Sequence, residues 1–355
     1  MKFPVSEQEF RRLDASDMLG LLVSFPQQLE EAGKIMNQVR LSPKGRTIRN
    51  VVVAGMGGSA IGGDLLRNYL VDEIDLPILV NREYSLPRFL GAATLVFASS
   101  YSGNTEETLS ACRQALQRGS QVIGIASGGE LARLAAREGF PLISIPTGYP
   151  PRMALGYLFT VLLLSMSKLG FIGDQGKNLR EAQILIHRKG MQYGPSVPLT
   201  ENQAKQMALK LYGKLPVFYA WSHHFEAVAL RWRGQLAENS KQMSTHHLFP
   251  EMNHNEIVGW GAPQVLMDKN VVVLLRDSEE PKSIEKRIEV TKELIAPSVG
   301  EITEVWADGS CLLARLFSLL CLGDYVSFYL AMLNGVDPTP VERIEELKRR
   351  LAADS

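Results

Sequence analysis

The sequence predicts an α/β protein of two similar halves, each a parallel sheet flanked by helices, with a further helix at the C-terminus. Short, continuously apolar strands alternate with helical patterns, as strands buried on both faces require. The second half repeats the plan of the first. The 355 residues are long for a single core and suit two domains of ordinary size.

Residues 1–45 read as a polar-faced helical lead-in of one or two helices. The first domain, 46–170, follows as strand "IRNVVVAG", helix "AIGGDLLRNYLV", strands "LPILVN" and "ATLVFASS", helix "NTEETLSACRQALQRG", strand "QVIGIAS", helix "GELARLAAREG" and strand "PLISIP". "TGYPPR" breaks the pattern with two prolines. "ALGYLFTVLLLSMSKLG" is short for a membrane span and reads as a buried helix. Gly, Lys, Asn and Pro cluster in 171–200, which reads as a linker. In the second domain, 201–336, "LPVFYAW" is a strand, and a helix runs from about Phe225 to Asn239. "NVVVLLRDSEEP" is a strand, "SIEKRIEVTKELI" a helix and "ITEVWA" a strand, and "CLLARLFSLLCLGDYVSFYLAML" mirrors the apolar helix of the first half. The last segment, 337–355, carries Val341, Ile344, Leu347 and Leu351 at helical spacing.

Lys+Arg and Asp+Glu both number 38, so no charge bias points to nucleic acid or a membrane surface. Cys112, Cys311 and Cys321 have no metal-type spacing and suggest a reducing compartment. The polar N-terminus lacks a signal-peptide apolar core, and the expectation is a cytoplasmic protein.

"VVVAGMGGSAIGGDLL" is a strand, a tight turn and a helix N-terminus, whose free amides can face an anion. Gly55-x-Gly57-x-x-Ala60 satisfies the dinucleotide fingerprint, but the next strand ends at Asn81 where that reading needs an acid. Arg82 leaves room for a 2′-phosphate, and glycine packing alone is the plain alternative. "ASSYSGNTEET" places Ser100, Ser102 and Thr105 where another strand meets a helix. Hydroxyls and helix-start amides suit one phosphate monoester, and two such loops converge at the carboxyl edge of a parallel sheet. Helix capping by Asn104 or Thr105 is compatible with that role.

Glu238 ends a helix as "AEN", where the dipole disfavours a carboxylate, a setting that suits a general base. His254 in "EMNHNEI" is a candidate acid or base, in competition with His223, His224, His246 and His247. No H-E-x-x-H spacing occurs, so zinc chemistry is not predicted. Arg152 follows two prolines at the start of the apolar helix, where a fixed cation could stabilise an oxyanion or serve a domain-edge ion pair. Lys348 lies among Lys and Arg on the terminal helix, and a solvated face is its default.

Together "GMGGSAIGGDLL", "SSYSGNTEET", "PPRMALG", "RWRGQLAENSK", "FPEMNHNEIVGW" and "GVDPTPVERIEELKRRL" resemble the bifunctional phosphoglucose/phosphomannose isomerases, from about residue 45 to the C-terminus. The resemblance implies two sugar isomerase (SIS) domains, each with a five-stranded parallel sheet. It implies interconversion of glucose 6-phosphate and mannose 6-phosphate with fructose 6-phosphate through a cis-enediol, in a homodimer without redox cofactor or metal. It assigns Gly57, Gly58, Ser59, Ser100, Ser102 and Thr105 to the phosphate. Glu238 is then the base between C1 and C2, and His254 opens the ring in the partner subunit's site. Arg152 lies near the enediolate, and Lys348 is the lysine of the C-terminal helix. Some members carry a threonine before the terminal helix that is linked to mannose use. Val341 stands there in this chain, with Thr339 two residues earlier. A non-catalytic sugar-phosphate sensor, another SIS sugar-phosphate isomerase, and an NADP-dependent oxidoreductase suggested by Gly55-x-Gly57-x-x-Ala60 and Arg82 are the competing readings.

Overall fold

The computed structural model describes residues 3–5, 7–41, 47–261 and 263–353. The boundary expected between residues 45 and 46 lies outside them. Among its described residues the lead-in forms three helices, α1 (Glu7–Leu13), α2 (Met18–Val23) and α3 (Phe25–Gln38). Next come β1 (Asn50–Ala54), α4 (Gly57–Leu70), β2 (Ile78–Asn81), β3 (Thr94–Ser99), α5 (Glu106–Gln117), β4 (Gln121–Ala126), α6 (Gly129–Glu138), β5 (Leu142–Ser144) and α7 (Leu155–Lys168). Then come α8 (Gly176–Gln192), α9 (Gln203–Leu211), β6 (Leu215–Trp221), α10 (Ser222–Asn239), β7 (Thr245–Phe249), the single turn α11 (Gln264–Met267) and β8 (Asn270–Arg276). The chain closes with α12 (Lys282–Ile295), β9 (Glu301–Trp306), α13 (Leu312–Leu333) and α14 (Glu342–Ala353).

Both sheets are wholly parallel. The first has the order β2-β1-β3-β4-β5. Its strand order reverses between β1 and β3, so the loops after those two strands flank the crevice at the carboxyl edge. The second has the order β7-β6-β8-β9. It holds four strands among the described residues, not the five that the resemblance implies. One of them, β7, was not expected. It is an edge strand whose residues are mostly half-exposed, so "THHLF" shows no apolar run.

Alternation along the strands divides the core. Val51 and Val53 of β1 join Val271 and Val273 of β8 in one cluster that runs between the sheets through α3, α4, α7, α10 and α13. Val52 and Ala54 face the other way, onto α5 and α6. Val272 and Leu274 face α12. This is why the strands read as unbroken apolar runs. Helix α13 is long and apolar enough to cross a membrane, but 94% of its most apolar window is buried in the protein. Phe159 of α7 and Phe317 of α13 meet with ring centroids 5.3 Å apart.

The expected linker, 171–200, contains the 17-residue helix α8. Ala182, Leu185 and Ile186 give it a narrow apolar stripe, buried in the central cluster. The stripe is hidden among Lys, Arg and Gln, which is why composition suggested a connection.

Candidate active site

Helices α4 and α10 pack side by side in the layer between the sheets. The N-terminus of α4 and the C-terminus of α10 meet at a cavity of about 220 Å³, lined by Gly57, Gly58, Arg82, Arg152, Arg233 and Glu238 among others. The turn before α4 must be tight. Gly57 has φ +47°, and a Cβ on Gly58 would lie 2.5 Å from the Pro151 carbonyl oxygen and 2.8 Å from the Arg152 amide nitrogen. Glycine at 58 therefore lets the helix start lie directly on the 3-10 turn Pro151–Met153 that carries Arg152.

The hydroxyl residues sit in the two crevice loops. Ser59 is buried, and its Oγ accepts a hydrogen bond from the Tyr101 amide at 3.0 Å. Ser100, also buried, pairs with Thr105 through their hydroxyls at 2.8 Å. Ser102 is exposed, and its Oγ accepts from the Asn104 amide at 3.2 Å. Gly103, at φ +70°, packs so closely on Gly128 that a Cβ would lie 1.8 Å from its carbonyl oxygen. The loop after β4 thus backs the loop after β3, a support that the strand and helix pattern did not announce.

Arg152 is 4% exposed and fully engaged. Nε donates to Asn239 Oδ1 at 2.6 Å, and Nη2 donates to the carbonyl oxygens of Pro338 at 2.9 Å and Thr339 at 2.8 Å. Nη1 lies 3.5 Å from Glu238 Oε2. Burial draws the guanidinium below its ordinary pKa, opposed by Glu238 and reinforced by Arg231. Arg152 thus joins the turn before α7, the end of α10 and the segment before α14 at one point. Glu238 also lines a second cavity of about 560 Å³ with Lys241, Asp337, Val341 and Ile344. Lys241 Nζ donates to the Glu238 carbonyl at 2.8 Å, and burial lowers its pKa.

The structure does not bring His254 and Lys348 to these cavities within one chain. His254 is exposed on the 3-10 turn Glu251–His254 beyond β7. Its neighbours in "MNHNEIVGW" anchor that segment to β6 and α12. Tyr219 Oη donates to Glu256 Oε1 at 2.5 Å, Trp260 Nε1 donates to Tyr219 Oη at 2.9 Å, and Asn253 Nδ2 donates to Thr291 Oγ1 at 2.8 Å. The motif ties down a turn whose histidine is exposed. Lys348 is exposed on α14, whose Ile344 and Leu347 are also exposed.

Arg82, considered for a 2′-phosphate, is ion-paired with Asp64 of α4. Asn239, which fixes Arg152, went unnoticed in "AEN". So did the buried pair of Arg231 and Asp324, whose Nη2–Oδ2 distance is 2.8 Å. Arg231 also donates from Nη1 to the Arg152 carbonyl at 3.1 Å. A lone acid inside the apolar α13 was the available signal, because a buried charge requires a partner.

Residues 200–351 match the family described as the bacterial phospho-glucose isomerase C-terminal SIS domain. Over 335 residues the chain is 44% identical to the bifunctional phosphoglucose/phosphomannose isomerase of Caldicellulosiruptor bescii, covering 94% of this chain and 99% of that one. The chain belongs to the bifunctional phosphoglucose/phosphomannose isomerase family. The Aquifex aeolicus enzyme of the same name is 35% identical over 306 residues, 85% of this chain and 90% of that one. The fold matches the crystal structure of a hypothetical protein from Thermus thermophilus with a TM-score of 0.76, 18% identity, and coverage of 98% of this chain and 94% of that one.

Proposed function

We propose that this family member interconverts glucose 6-phosphate and mannose 6-phosphate with fructose 6-phosphate through a cis-enediol. The observation that carries the reading is the meeting of Glu238, Arg152 and the α4 N-terminus around one cavity. The amides at Gly57 and Gly58 and the hydroxyls of Ser59, Ser100, Ser102 and Thr105 take the phosphate. Contacts remote from the reacting carbons then orient C1 and C2. Glu238 removes the proton from C2 of the open-chain aldose and delivers it to C1. Arg152 stabilises the charge that develops on oxygen, its guanidinium already oriented by Asn239 and two carbonyls.

Ring opening falls to His254 and Lys348. Because both are exposed and away from the Glu238 cavity in one chain, we propose a homodimer in which His254 serves the partner's site. The exposed Ile344 and Leu347 on α14 support burial against a second copy. We also keep the divisions 46–170, 201–336 and 337–355 as the functional units, and the cytoplasm as the compartment.

The test is incubation of the purified chain with fructose 6-phosphate, without nucleotide, and identification of the products. Both aldose phosphates are expected. Binding without conversion would favour a sugar-phosphate sensor instead.

A further inference from the structure

At the end of the α4–α10 pair opposite the cavity, three side chains converge from both domains. Asp72 follows α4, and His223 and His224 open α10. Their potential ligand atoms all lie within 4.8 Å of one another. His223 Nε2 is 2.8 Å from Asp72 Oδ1, and His224 Nε2 is 3.3 Å from Asp72 Oδ2. A tetrahedral zinc ion with ligand bonds of about 2.0–2.2 Å separates its ligand atoms by about 3.4 Å, a spacing that the His224–Asp72 pair already has and to which the His223–Asp72 pair would open.

The hydrogen bonds around the rings determine what the facing atoms can do. His224 Nδ1 is 2.8 Å from the Asn68 carbonyl oxygen, which can only accept, so Nδ1 carries the hydrogen. In the neutral ring Nε2 then presents a lone pair towards a carboxylate oxygen. That juxtaposition is relieved either by a second proton on the ring, as an imidazolium–carboxylate pair, or by a metal ion held between the two atoms. The outer contacts hold this arrangement. Asn68 is buried, donates from Nδ2 to the His223 carbonyl at 2.9 Å and accepts from the Ala227 amide at 3.0 Å. Trp221 stacks on the His223 ring, 17° from parallel, and meets His224 edge-on. A ligand ring whose second nitrogen bonds a carbonyl, with outer partners fixing its orientation, is the usual setting of a histidine metal ligand.

We infer that Asp72, His223 and His224 form a site for a divalent transition metal of the zinc class. Two imidazoles and one carboxylate match its preferences, and Asp72, with a side chain 64% exposed, leaves a fourth position for water. From His223 to Glu238 the helix rises about 22 Å, so the ion takes no part in proton transfer at the sugar. It staples the far end of the two helices whose near ends form the cavity. The inference rests on this geometry alone and is independent of the isomerase reading.

The test uses the full chain, stripped with a chelator and titrated with Zn²⁺ by calorimetry and with Co²⁺ by visible absorption. One equivalent per chain, d–d bands of a four-coordinate ion and a raised melting temperature are expected. His223→Gln and Asp72→Asn, both at partly exposed positions and checked for native circular dichroism, should each weaken Zn²⁺ binding at least tenfold and lose the thermal shift. No stoichiometric binding by the wild type would overturn the inference. So would wild-type binding by both variants, which would place the ion elsewhere.

Discussion

Gly58→Ala tests whether the α4 N-terminus and the Arg152 turn act as one unit. A methyl group at 58 would sit 2.5 Å from the Pro151 carbonyl oxygen and 2.8 Å from the Arg152 nitrogen, both backbone atoms that cannot rotate away. To reach even 3.0 Å, the turn must retreat by about half an ångström, and a comfortable contact needs about twice that. Overpacking of this kind costs about 1–3 kcal/mol of stability. The effect on turnover is larger, because the retreat moves a guanidinium that is tied to Glu238, Asn239 and the segment before α14. A misplacement of about 1 Å in a catalytic group lowers rates by about 10²-fold. Steady-state kinetics with fructose 6-phosphate should therefore show a kcat loss near that size, and urea unfolding a smaller relative change. Gly33→Ala is the control. It lies inside α3 with open space at its Cβ position, and it should leave turnover unchanged. Turnover of Gly58→Ala within twofold of wild type would refute the coupling.

Three further outcomes follow from the same geometry. Asp324→Asn strips the charge that faces the buried Arg231 and should destabilise the fold by about 3–5 kcal/mol in urea unfolding, while the double variant Arg231→Met/Asp324→Leu should regain most of that loss. Burial, Arg233 and His247 hold His246 below its ordinary 6.5. The unfolded chain then binds the proton more readily, so stability should fall as pH drops from 6.5 towards the lowered value, and His246→Gln should flatten that slope in unfolding midpoints. Mixing His254→Ala with Glu238→Gln under subunit exchange should regain turnover that neither variant has alone; no regain would place both groups in the same chain's site.

The parallel sheets were legible because strands covered on both faces are apolar throughout, as in Val51–Ala54 and Val271–Leu275. Edge strand β7 was not, since its histidines face partly to solvent. The candidate site was legible where chemistry concentrates in a short stretch, as at Gly57–Ser59, Ser100–Thr105 and Glu238. Its wiring was not. Arg152 is held by the carbonyls of Pro338 and Thr339, and a backbone oxygen leaves no mark in the sequence. The neighbours of His254 showed as a polar cluster, but only the fold reveals that Asn253, Glu256 and Trp260 anchor the turn. Asp72 and His223 stand 151 positions apart, beyond the reach of any spacing rule.

The proposed chemistry turns on Glu238 moving the proton between C1 and C2. Turnover of fructose 6-phosphate by Glu238→Gln, measured beside its binding of the same sugar phosphate, tests this most directly. With the carboxylate replaced by an amide, kcat should be lower by about 10²–10⁴-fold with binding retained. Near-normal turnover by Glu238→Gln would contradict it.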